Sequence, residues 1–190
     1  MASERFNFNV SFSEPVNRPG DEPVLTGEDV WQGIAHGARH PDDMAEYVAS
    51  CEILSGDKTR FRRKLIIGGG GAVHTGAGQA IEQDVILRHM LHGVDTIKVE
   101  AVTIDSGATT IFGMSQGTQE LPNPDRPDLY FTGVYELWID GVKEGTPEAE
   151  EVRIKYGNLA RGATQDGVKT FRKWKVEGKL DKWAKLENRA

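Results

Sequence analysis

The sequence has a single cysteine, Cys51, in 190 residues, which excludes an internal disulfide and any cysteine-rich zinc site. No apolar run approaches the roughly 18 residues a membrane helix needs, so no membrane span is expected. Positive charge is also short: 23 Lys and Arg stand against 29 Asp and Glu, a net −6. No nucleic-acid partner is expected from that balance. Met1-Ala2-Ser3-Glu4-Arg5 runs straight into alternating Phe and Asn without a signal-peptide core. With 38% hydrophobic and 27% charged residues, the expectation is one soluble, cytoplasmic domain over 1–190. Its basic end, about 176–190, is expected to be a flexible tail.

What is present is periodicity. Phe6, Phe8, Val10 and Phe12 alternate with Asn7, Asn9 and Ser11, a strand that buries one side. Thr26 and Asp29 then mark a helix start, with Val30, Trp31, Ile34 and Ala38 as its apolar stripe and Pro41 as its stop. A second short helix is expected from about Pro41 to Tyr47. From Val48 to Ile139 come six or seven strands joined by short turns, which read as one antiparallel sheet. Thr146-Pro147-Glu148 starts a long helix, with Val152, Tyr156, Leu159, Ala163, Gly167, Phe171 and Trp174 on one stripe. Gly157, Gly162 and Gly167 weaken it by roughly 1 kcal/mol each, and their small size invites a close neighbour. The fold class is therefore α+β, a curved antiparallel sheet wrapped around a long C-terminal helix. An apolar cavity is expected where sheet and helix splay apart.

Several local patterns carry a family resemblance: Leu25-Thr26-Gly27-Glu28-Asp29-Val30-Trp31-Gln32-Gly33, Ala38-Arg39-His40-Pro41, Cys51-Glu52-Ile53-Leu54, Ile66-Ile67-Gly68-Gly69-Gly70, and Tyr130-Phe131-Thr132 with Tyr135-Glu136. In these and in element order the chain resembles the SRPBCC superfamily, the START and Bet v 1 helix-grip fold. Within it the chain is similar to the AtaL-like group, long known only as a domain of unknown function. The resemblance implies the helix-grip architecture with two short helices after the first strand. Fungal members of the group resemble proteins of polyketide and other secondary-metabolite pathways, which implies a cyclisation role.

The glycine runs at Gly68–Gly71 and Gly76–Gly78 match neither a dinucleotide fingerprint nor a phosphate loop, and a strand follows them, so no nucleotide is expected. A mobile hairpin flap is the expectation there. His36 and His40, four apart, lack a third ligand, so no metal and no cofactor are expected. His89 and His92 are expected in solvent, and Cys51 as a small core hydrophobe. Arg63 shares an inward face with Phe61, Leu65 and Ile67. A guanidinium there either pairs with a carboxylate or reaches the rim, or else waits for an oxygen-rich ligand. Gln83 shares a face with Val85 and Leu87 and could bond a ligand carbonyl. In the last strand Phe131, Gly133, Tyr135 and Leu137 are taken as inward, although Trp138 sits on the other side. Tyr135 is then either a core tyrosine or a phenol able to donate a proton, and Tyr156 on the long helix faces the same choice.

Arg63, Tyr135 and Tyr156 are thus the candidate catalytic groups. The candidate ligand wall is Leu65, Gln83, Val85 and Leu87, with Ile97, Val99, Phe112 and Met114 on the next strands. Phe131, Leu159 and Ala163 complete it. The expected partner is a small hydrophobic molecule, a carbonyl-rich polyketide, cyclised or dehydrated in the cavity. The alternative is a non-catalytic carrier or sensor of a lipid-like ligand. A homodimer is left open.

Overall fold

Period-two segments build seven strands: β1 (Arg5–Pro15), β2 (Val48–Gly56), β3 (Arg60–Ile67), β4 (Ala80–His89), β5 (Ile97–Thr103), β6 (Thr109–Gln116) and β7 (Leu129–Asp140). The computed structural model describes residues 5–69, 77–89, 97–118, 123 and 125–187. The strands form one antiparallel sheet in the order β1-β7-β6-β5-β4-β3-β2. Alternation sets the face: Phe131, Gly133, Tyr135 and Leu137 are buried, whereas Glu136 and Trp138 are exposed. The middle of the expected glycine flap, 70–76, and His92 lie outside the described residues.

Two helices lie on the inner face, α1 (Gly27–Arg39) and α2 (Pro147–Val176), and α3 (Lys179–Glu187) packs against both. Thr26 and Asp29 close a reciprocal capping box at the start of α1. The Asp29 backbone N–H donates to Thr26 Oγ1 at 3.2 Å, and the Thr26 N–H donates to the Asp29 carboxylate at 2.9 Å. That carboxylate also pairs with Lys175 at 2.8 Å, tying the start of α1 to the end of α2. Thr146 caps α2, with Pro147 at its first position. The second short helix is a single 3₁₀ turn, Pro41–Asp43. After it the chain must extend into β2, which leaves no room for further turns.

Close approach fixes where α2 lies. A Cβ on Gly133 of β7 would meet Thr164 Oγ1 at 2.9 Å, and one on Gly167 would meet the Phe131 ring at 2.7 Å. Gly157 and Gly162 have open space instead, so two of the three helix glycines serve no close packing. The first turns of α2 bury Ala149, Val152 and Tyr156 against Phe6, Phe8, Leu137 and Ile139. Its last turns bury Phe171 and Trp174 with Trp31 and Ile34 of α1. Each of these large side chains contributes roughly 1.5–3 kcal/mol by leaving water.

The end of the chain is a correction. The segment expected as a flexible tail from about 176 folds as α3 through Glu187. Leu180 and Trp183, three residues apart, share one helix face, and Leu180 is fully buried. Trp183 stacks on His36 at 3.9 Å between ring centres and meets Trp174 edge-on. His89, expected in solvent, is half-buried and stacks on Trp31 at 4.3 Å. Cys51 is only half-buried, because β2 is an edge strand with most residues exposed. Among the described residues no helix is long and apolar enough to cross a membrane.

Candidate functional site

The two apolar clusters along α2 leave the middle of the concave face unfilled. A cavity of about 810 Å³ opens there, between β3–β7, α2 and the segment 37–48. That volume is within the range of cavities that hold small organic ligands. Asp42, Asp43 and Glu46 on one side and Asn158, Asp166 and Lys169 on the other are exposed lining residues. The mouth therefore runs between the 3₁₀ segment and α2, and its rim is mainly acidic.

Arg63 points inward, as the alternation of β3 requires, and is 8% exposed. Among the described residues it has no carboxylate partner. Its Nε and Nη2 donate to Gln83 Oε1 at 2.9 and 2.7 Å, and Nη1 donates to the carbonyl of Ala38 in the last turn of α1. Gln83 Nε2 in turn donates to Thr103 Oγ1 at 3.2 Å. This chain of bonds follows the register, since Arg63 is opposite Gln83 and Gln83 opposite Thr103. The carbonyl end of α1 partly offsets the cation through its dipole. Burial still depresses the Arg63 pKa to about 10, with only Cys51 and Tyr47 acting against it. At neutral pH the guanidinium stays charged.

Tyr135 is 4% exposed, and among the described residues its hydroxyl has no hydrogen-bond partner. A buried hydroxyl left unpaired costs about 1–3 kcal/mol. Burial pushes its pKa well above the ordinary 10, so it is a proton donor and not a base. Tyr47, which also lines the cavity, is raised by burial and drawn partly back by Arg63. Among the described lining residues are thus one fixed cation, Arg63, and the phenols of Tyr47 and Tyr135, groups of the kind that polarise a carbonyl or hold an anionic oxygen. Among the described lining residues the carboxylates stand only at the rim, and none is a histidine.

Of the residues singled out in the sequence, Arg63, Leu65, Gln83, Val99, Phe112, Phe131, Tyr135, Tyr156, Leu159 and Ala163 line this cavity. Arg63 and Gln83 are joined directly. Tyr135 is four strands away, an arc of roughly 19 Å along the sheet at the usual strand spacing. Tyr156 reaches the cavity but packs its ring in the Phe8–Leu137 cluster. Val85, Leu87, Ile97 and Met114 share the inward face yet lie off the cavity, a correction to the expected wall. They are covered by α1: a Cβ on Gly27 would sit 3.4 Å from the Met114 methyl. Sequence reasoning missed Tyr47, Thr103, Thr110 and the Ala38 carbonyl. Cross-strand register could have found Thr110, which faces Tyr135, but nothing periodic marks Tyr47. Among the described residues no group of three or more His, Cys, Asp and Glu could hold a metal.

Residues 10–178 match the family described as acetylaranotin biosynthesis cluster protein L, AtaL. The acetylaranotin biosynthesis cluster protein L of Aspergillus terreus (strain NIH 2624 / FGSC A1156) is 37% identical over 178 residues, 93% of this chain and 95% of that protein. In fold the chain is similar to the di-domain ARO/CYC StfQ from the steffimycin biosynthetic pathway, with a TM-score of 0.57 and 12% identity. That match covers 89% of this chain and 52% of the other, so the chain spans about half of the two-domain protein. At such identity the likeness carries the fold and no more.

Proposed function

The chain belongs to the AtaL family, and from that premise we propose that it serves secondary-metabolite biosynthesis by enclosing a small hydrophobic intermediate. The intermediate is carbonyl-rich, of polyketide type, and the protein promotes its cyclisation or dehydration. One observation carries this reading: Tyr135 lines the cavity, and its buried hydroxyl has no partner among the described residues. Such a donor is costly unless a ligand oxygen completes it. Holding reacting carbons in near-attack geometry supplies several kcal/mol, and Tyr135 polarises the carbonyl that is attacked. The walls of Leu65, Val99, Phe112 and Phe131 keep water from competing.

A carrier is the second reading, and the lack of a base inside the cavity among the described residues favours it. Cyclisation through an enolate needs a proton acceptor, and the described carboxylates stand only at the rim. Product analysis separates the two. A linear poly-β-ketone incubated with the protein is expected to give a changed ratio of cyclised products, with the change lost in Tyr135→Phe. Tight binding with product ratios equal to those in buffer overturns catalysis and leaves the carrier.

A further inference from the structure

Arg63 presents more donors than its neighbours use. A guanidinium has five N–H groups. Two are taken by Gln83 Oε1 and one by the Ala38 carbonyl. Among the described residues the remaining two have no acceptor, although the side chain is more than nine-tenths buried in the cavity wall. Both acceptors it does have, Gln83 Oε1 and the Ala38 carbonyl, are neutral. A buried cation without a counter-charge is one of the more expensive things a fold can hold. The bonds to Gln83 and Ala38 also lock the plane of the fork, and Thr103 locks Gln83. An arginine fixed in this way is built to receive two oxygens in one plane, the geometry of a carboxylate.

We propose that the cavity's ligand is a free acid, whose carboxylate docks on the two open N–H groups of Arg63 while its apolar body lies along Leu65, Val99 and Phe112. The inference rests on the cavity being the binding site and adds the charge and terminal group of what it takes. A carboxylate buried on Arg63 is not esterified to a carrier. Among the described residues the rim carries Asp42, Asp43, Glu46 and Asp166 against Lys169, so a ligand's anionic group finds no net attraction at the mouth and Arg63 is left as its anchor.

The test uses three fluorescent probes with one apolar body: 1-pyrenebutyrate, its methyl ester and 1-pyrenebutylamine, titrated at pH 7 into the full chain. The acid is expected to bind at least about tenfold more tightly than the ester, as for a charge-assisted bond made in one and not the other. In Arg63→Met the difference should close to within about twofold. In Lys169→Gln, which removes the rim cation, it should persist. Equal binding of acid and ester, or tightest binding of the amine, overturns the inference and leaves the cavity as a site for neutral or cationic molecules. Should Arg63→Met fail to fold, the Lys169→Gln result decides: loss of the acid preference there moves the anchor to the rim and overturns the assignment. If none of the three probes binds, the cavity is not a binding site for such molecules, and both this inference and the function proposed above fall.

Discussion

Tyr135 and Arg63 are both inward and polar, and among the described residues each lacks part of its bonding, so substitutions at them should separate stability from binding. Tyr135→Phe removes a hydroxyl that bonds nothing among the described residues. It should leave the melting temperature unchanged or raise it by the equivalent of about 1 kcal/mol, while weakening the ligand by roughly tenfold. A fall in melting temperature would mean the hydroxyl has a structural partner. Arg63→Met strips a donor from Gln83 and Ala38 but also relieves a buried charge. The two effects oppose each other, so thermal melts should show little net loss. Loss of several kcal/mol would mark the residue as structural. Both residues were legible in the sequence, because period two assigns a face. What covers that face was not: Val85, Leu87, Ile97 and Met114 were placed in the wall, yet α1 packs over them. Alternation along a strand carries no record of which helix crosses it.

The elements were the most readable level where capping chemistry is local, as at Thr26 and Thr146, and the least readable at the chain's end. Lys-rich composition suggested a loose tail, but two side chains, Leu180 and Trp183, suffice to dock α3 on α1 and α2. That docking is built around His36, stacked between His40 and Trp183, with Nε2 lying 2.7 Å from the Asp43 carboxylate. Burial lowers the His36 pKa below its ordinary 6.5, helped by His40 and Lys179 and opposed by Asp43. Between about pH 6.5 and its folded value, the unfolded chain therefore binds a proton that the folded chain does not, and stability falls as pH drops. Melts at pH 7.5 and 5.5 should show a larger drop for the wild type than for His36→Gln. Equal drops would exclude this linkage. Within α2, a Cβ at Gly157 meets nothing within 4 Å. Gly157→Ala should accordingly raise stability by about 0.5–1 kcal/mol, read by denaturant unfolding. Destabilisation would show that the open space there is filled in solution.

At the scale of the molecule, one sheet is covered in two ways. Over β4–β6, α1 and the end of α2 close directly on the strands, and that region is core. Towards Arg63, α2 stays over β1 and β7, and the space between it and β3–β5 becomes the cavity. The antiparallel run of strands and the long helix were legible because each is a repeating pattern. The division of the concave face was not, because it depends on where α1 lands after a loop. The central claim is that this divided face makes a binding chamber. The measurement that tests it most directly is pyrenebutyrate titration of Ala163→Trp, since Ala163 lines the cavity from α2 and an indole there fills the chamber from one wall. The account expects affinity to fall by more than about tenfold with the melting temperature nearly unchanged, since the indole enters empty space and leaves the packed core alone. Unchanged affinity in a folded Ala163→Trp protein would place the ligand elsewhere and contradict it.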